Sequence, residues 1–236
     1  GICRRSGSGN NMKQLLENWN NFLNEGIDAR IQKQLDVILA LPDIGVLIYK
    51  GSVMGFTTMS FRYVRIVDKE TKKYSILTPQ DTFIRKDRKT VKTGIPNGYV
   101  EIREPLRADG PCLDGWVVGG SLATTGFGPL LYEMAIEWSS QNGEGLTPDR
   151  KSVSTYAARV WANYMSRSDV EKKQLDATKE DPVQRLTRPV ADDCSQVKSV
   201  KAAGENWMNS PFAKMYSKSN TEVIDALRAA GRLIEE

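Results

Sequence analysis

Apolar residues recur at helical spacing over 12–25, with Leu15, Leu16, Trp19, Phe22 and Leu23 on one side and asparagine and lysine elsewhere. A second helical period follows. Asp28 is placed to cap it, Ile31, Leu35, Ile38 and Leu39 form its inner face, and Pro42 stops it. The pattern then changes to short β-branched and aromatic runs. These predict strands over 44–49, over 53–67 with a break at Gly55, over 74–78 after a turn at 68–72, and over 99–103. Residues 112–118 read as a further strand. Beyond it, Gly126 and Gly128 let the chain turn tightly, and Pro129 suits a first helical position. The helix this opens places Leu131, Met134, Ala135 and Trp138 on one face, with Glu133 and Glu137 off it.

A short strand is predicted within 145–150, ending in turn residues. Ser152 or Ser154 then caps a helix carrying Ala157, Val160, Trp161 and Tyr164 on one face. Residues 169–200 are polar, are interrupted by Pro182 and Pro189, and show no apolar period, which predicts a long surface excursion. Trp207, Met208 and the run 211–216 restore apolar content. Residues 219–222 read as a capping box opening a last helix, with Val223, Ile224, Leu227, Ala230 and Ile234 inward. This order of elements predicts an α/β (α+β) fold: a mixed, mostly antiparallel sheet with flanking helices. The expected divisions are a leader or cloning scar over 1–11, an N-terminal amphipathic helix over 12–27, a central domain over 28–167, and a polar excursion with a C-terminal helical extension over 168–236. The 12–25 helix can dock on its own domain or on a partner protein.

Composition narrows the chemistry. A chain of 236 residues can bury a substantial core, and no apolar run approaches the roughly 20 residues of a membrane helix. The net charge of +4 falls to +2 (4 − 2) once Arg4 and Arg5 of the leader are set aside, too small an excess to imply nucleic acid. The basic run over 83–92, with Arg85, Lys86, Arg88, Lys89 and Lys92 against Asp87, reads as a solvated loop; a phosphate contact is its functional alternative. The chain has no histidine, which excludes Ser-His and Cys-His dyads and histidine-containing zinc sites. Outside the leader only Cys112 and Cys194 remain, too few for a disulfide framework and consistent with a reducing compartment. Asp192 and Asp193 beside Cys194 read as solvated, so no metal site is expected. Carboxylates, tyrosine, lysine, backbone amides and water are left to do chemistry.

The turn at Gly126 and Gly128, with Leu131 early in the helix that follows, resembles the acetyl-CoA-binding segment of the GNAT acyltransferase superfamily. The family's Gln or Arg position falls here on Ala123. The runs GFGPLLYEMAIEW, LTPDR and DDCSQ resemble proteins of tailed bacteriophages, and Leu23, Asn24 and Glu25 before Gly26 resemble a prohead-protease cleavage signal. The resemblance covers 28–167 and implies an acyl-CoA N-acyltransferase-like fold with acetyl-CoA as co-substrate and an amine on an unknown acceptor. It implies that amides around Gly126, Phe127, Gly128 and Leu130 hold the pyrophosphate, and that the strand at Trp116 and Val118 binds the pantetheine arm. In the helix after the fifth strand, Ser154, Ala157 and Trp161 occupy the family's Asn, Ala and Tyr positions. The general-acid tyrosine is therefore a tryptophan, and Tyr164 one turn on would take its place, with Glu101 as base. The competing expectation is a non-catalytic virion or internal head protein on a degenerate fold of the same kind. It would contact a phage or host protein through the 12–25 helix, in the host cytoplasm or the virion.

Overall fold

The computed structural model describes residues 27–78, 81, 83–86, 89–92, 94–179 and 183–236. The leader and the helix expected over 12–25, with its partner-docking face, lie outside them. Asp28 caps helix α1 (Ala29–Ala40) by accepting from the Arg30 amide, and Ile31, Leu35 and Ile38 are buried as their spacing predicts. Strand β1 (Ile44–Val53) turns back at Met54 and Gly55, both with positive φ, into β2 (Phe56–Asp68). Gly55 is thus the turn of a hairpin and not a break within one strand, because two successive left-handed residues match the twist of paired strands. After β3 (Lys73–Ile76), the basic run forms a hairpin of β4 (Phe83–Lys86) and β5 (Lys89–Lys92), where a loop was expected. β6 (Gly98–Arg103) alternates buried and half-buried positions.

The strand expected over 112–118 starts later and runs further, as β7 (Trp116–Ala123). Cys112, Leu113 and Asp114 instead take left-handed φ of 50°, 54° and 55°. Helix α2 (Gly128–Gln141) has proline in its first turn, as predicted. β8 (Leu146–Thr147), α3 (Thr155–Ser166), β9 (Glu171–Gln174), β10 (Asp176–Ala177), β11 (Asp193–Cys194), α4 (Val197–Ala203), β12 (Lys214–Ser217), α5 (Glu222–Ala229) and β13 (Leu233–Glu235) complete the order.

The main sheet runs β13-β1-β2-β6-β7-β8-β12-β9, with β3 on β2. Its pairs are antiparallel except β1·β13 and β7·β8. The mixed, mostly antiparallel sheet with flanking helices expected from the sequence is therefore present. The division at 167/168 does not match a break in the sheet, since β9, β12 and β13 all pair into it. Nor is 169–200 a surface excursion: Val170, Leu175, Ala177 and Cys194 are buried. Cys194 is disulfide-bonded to Cys112, so the two are not separate thiols and no longer argue for a reducing compartment. Sequence spacing could not show this pairing, because 82 residues separate the two cysteines.

One face of the sheet carries the main core. Phe61 and Tyr63 of β2, Val100 and Ile102 of β6, and Trp116 and Val118 of β7 meet α1, α2, α3 and α5 there. Because α2 crosses the centre of the sheet under two other helices, it is covered on nearly all sides. Glu133 and Glu137, expected off its buried face, are both 0% exposed. Buried carboxylates need partners. Glu133 binds both terminal nitrogens of Arg167, at 2.7 and 2.8 Å, and accepts from Lys218 at 2.6 Å. Glu137 lies 3.5 Å from Lys218 and accepts from the amides of Val223 and Ile224, at 3.1 and 2.9 Å. It thus caps α5 from another helix. The expected capping box is absent, and the Thr221 hydroxyl donates to Asp225 instead.

Candidate functional site

The parallel contact between β7 and β8 opens a cleft. β7 and β8 pair only at Trp116–Leu146 and Val117–Thr147. The next residue of the β8 side is Pro148, which has no N–H to continue a ladder. From Val118 onward β7 has β6 on one side and, on the other, an edge facing a cleft with about 500 Å³ of empty space, counted to its open mouth. The far wall is built by the loop after Pro148 and the start of α3. Asp149 shapes that loop by accepting, through Oδ1, from the amides of Lys151 and Ser152 at 2.8 and 2.5 Å. Ser154 caps α3 through the Ala157 amide, and Ala157 and Trp161 of that helix face the cleft. The loop is anchored from below by Arg150, 1% exposed, whose Nε donates to the Pro148 carbonyl at 2.9 Å and whose Nη2 donates to that of Phe212 at 3.0 Å. Burial lowers the Arg150 guanidinium to about 10, which leaves it charged at neutral pH.

A β-bulge decides which side chain enters the cleft. Ile102 pairs with Val118 but Glu101 pairs with Gly120, leaving Gly119 without an opposite residue. An extra residue reverses the alternation of faces beyond it. Ser121, opposite the core residue Val100, therefore points to the helix side, where its hydroxyl lies 2.9 Å from that of Tyr132 on α2. Both residues line the cleft. Burial raises the Tyr132 phenol, and the Ser121 hydrogen bond only partly offsets it. Trp161 packs edge-on to Tyr132 at 5.9 Å between ring centres.

Of the residues singled out from sequence, Val118 lines the cleft. Trp116 is buried beside it, edge-on to Trp138 at 5.0 Å, with its indole N–H towards the Asn142 carbonyl at 3.4 Å. Tyr164 is 1% exposed; it packs against Trp161 and Tyr216, its hydroxyl has no hydrogen-bond partner among the described residues, and burial raises its phenol well above the ordinary value. It does not line the cleft. Glu101 lies between the core residues Val100 and Ile102, so strand alternation turns it to the opposite face of the sheet. The structure thus brings neither expected acid–base residue to the cleft.

The expected phosphate seat is largely closed. Gly126 makes the turn with φ of 93°, and Gly128 opens α2. The Phe127 amide donates to the Thr124 carbonyl at 2.9 Å, and the buried Leu130 amide donates to Gln34 Oε1 at 2.9 Å. Gln34 reaches it because α1 packs on α2, satisfying one of the donors that a helix start leaves open. Sequence reasoning missed Ser121, Tyr132 and Asp149. The available signals were the adjacent pair Gly119 and Gly120 inside a strand and a proline directly after a two-residue strand.

Asp176, Asp192 and Asp193 bring carboxylate oxygens within 4.8 Å of one another. They serve protein partners: Asp176 accepts from the amides of Leu186 and Thr187, Asp193 pairs with Arg185, and Asp192 accepts from the Thr187 hydroxyl. Among the described residues, no helix is long and apolar enough to cross a membrane. No family model, curated protein or solved structure matches the chain.

Proposed function

We propose that the protein is an acyltransferase-like protein of GNAT type that takes acetyl-CoA in the β7–α3 cleft and passes its acyl group to an amine. The observation that carries this reading is the open edge of β7 beside the Ser121–Tyr132 hydroxyl pair. Acetyl-CoA supplies an activated carbonyl and a thiolate leaving group. The edge at 118–121 offers backbone hydrogen bonds to an extended, amide-bearing arm, as a strand edge does for any added strand. Trp161 and Ala157 present an apolar wall that excludes water. Tyr132 holds a proton at its hydroxyl oxygen, which a departing thiolate needs, and Ser121 fixes that hydroxyl and can return a proton to it. In this reading Tyr132 takes the acid role that the sequence resemblance assigned to Tyr164. The nucleotide phosphates have no seat on the Phe127 and Leu130 amides, so they would rest on the exposed turn around Gly126.

The test is Tyr132→Phe. Loss of a general acid lowers transfer by roughly 10²–10⁴-fold, while acetyl-CoA affinity by calorimetry stays within about twofold. Unchanged turnover removes Tyr132 from the chemistry. The closure of the phosphate seat and the sealing of Tyr164 favour a second reading, a non-catalytic phage virion or head protein. A parent protein that binds no acetyl-CoA selects it.

A further inference from the structure

Among the described residues lining the cleft, Asp149 is the only acidic or basic side chain; the others are apolar, glycine, serine or the phenol of Tyr132. Its Oδ1 is engaged by the amides of Lys151 and Ser152, which fixes the carboxylate in place. Its Oδ2 has no hydrogen-bond partner among the described residues. The neighbouring Arg150 feels the Asp149 charge but makes its hydrogen bonds elsewhere: to Pro148, to Cys194 and Ser195 at 3.4 and 3.5 Å, and to Phe212. The cleft therefore presents one held, half-engaged carboxylate and no cation. Ser152 stands beside it with a further acceptor oxygen, and Ala157 and Trp161 supply an apolar stretch between this rim and the Ser121–Tyr132 pair.

We infer that Asp149 anchors a cationic group of the acceptor distinct from the nitrogen that is acylated, so that the acceptor class is a diamine or other amine carrying a second positive charge. This rests on the acyl-transfer reading of the cleft. The physical reason for two nitrogens is electrostatic. A carboxylate beside an amine favours the protonated form, and an ammonium has no lone pair with which to attack a carbonyl. A nitrogen held by Asp149 stays charged and anchors; the reacting nitrogen has to be the other one, free to lose its proton away from the carboxylate. The ammonium donates to Oδ2 in a charge-assisted hydrogen bond, the stronger kind. In the transfer step that other, neutral amine forms the C–N bond and the C–S bond breaks; the amine's surplus proton passes to water, the thiolate gains one from Tyr132, and water returns a proton to Tyr132 through the Ser121 hydroxyl.

The test compares n-butylamine, 1,4-diaminobutane and 4-aminobutyrate as acceptors with acetyl-CoA, in the full chain and in Asp149→Asn. Asparagine keeps an oxygen for the Lys151 and Ser152 amides, as turns of this kind allow, and removes only the charge. The expected result is a preference for the diamine over butylamine of about tenfold or more in kcat/KM, discrimination against the carboxylate-bearing amine, and loss of both in the variant. Equal use of the three acceptors by the parent, or an unchanged preference in Asp149→Asn, overturns the assignment. Calorimetric titration with 1,4-diaminobutane alone separates this from the acyl-transfer reading. If acetyl-CoA does not bind but the diamine binds the parent and not the variant, the anchor stands and the transfer reading falls. If the diamine binds neither, the anchor falls whatever acetyl-CoA does.

Discussion

Glu137→Gln gives the most quantitative pH prediction. The Glu137 carboxyl is fully buried, and burial raises it from 4.5 to about 7 although Lys218 and the amides of Ile224 and Val223 pull the other way. A carboxyl that holds its proton more tightly when folded stabilises the fold most below its unfolded value; that stability is lost as pH rises from about 4.5 through about 7 and is then flat. Integrated between about pH 5 and about pH 8, the change is about 2.5 kcal/mol. Among its shifted neighbours, Glu222 alone acts within this window. Burial is outweighed by hydrogen bonding in Asp169 and Asp176, so both are lowered and their contributions are lost only in acid, below 3.8. Lys218 is raised by Glu133 and Glu137 against the effect of burial, so its contribution is lost only above 10.5. Glu222, raised by burial, adds a slope of the same sign as Glu137 but is common to parent and variant. Glutamine preserves the side-chain shape and one acceptor for the start of α5. Urea unfolding at the two pH values should show the parent losing about 2.5 kcal/mol more than the variant on going to the higher pH. Equal pH slopes would mean that Glu137 is already ionised in the folded protein at the lower pH, and the reasoning would fail.

Gln34→Ala removes the acceptor of the buried Leu130 amide and should cost about 1–3 kcal/mol, read as a lowered urea midpoint; no change would mean that water replaces the side chain there. Alkylation of the unfolded, unreduced chain should label Cys3 and neither Cys112 nor Cys194. Cys194→Ser should destabilise by about 2–5 kcal/mol, since the bridge closes a loop of 82 residues in the unfolded chain.

Local pattern was enough to show α1, with Asp28 and Pro42 at its ends, and the glycine–proline start of α2, because caps and breakers act through neighbouring backbone groups. It was not enough for Glu133 and Glu137. Their polarity marked them as surface residues, whereas the partners that permit their burial, Arg167 and Lys218, are more than 30 positions away. The segment 169–200 misled for the same reason: short strands that bury residues on neighbours distant in sequence leave no helical or alternating period. In the cleft, the β7 bulge cancelled an alternation that would have kept Ser121 on the far face. Tyr164 was read correctly as a helix-face residue, but spacing along one helix cannot tell whether that face meets a ligand or, as here, the rings of Trp161 and Tyr216.

The residue without a partner at Gly119 divides β7 into two lengths of opposite parity. Before it, Trp116 and Val118 sit where any exchange is felt by the packing under α2. After it, the residues answer to the cleft. A frame-preserving deletion of Gly119 would remove the surplus residue and nothing else: Gly120 would follow Val118 opposite Glu101, and Ser121 would keep its place opposite Val100. The polar recess therefore survives the loss of that one codon, whereas the same residue kept but paired would turn Ser121 to the far face.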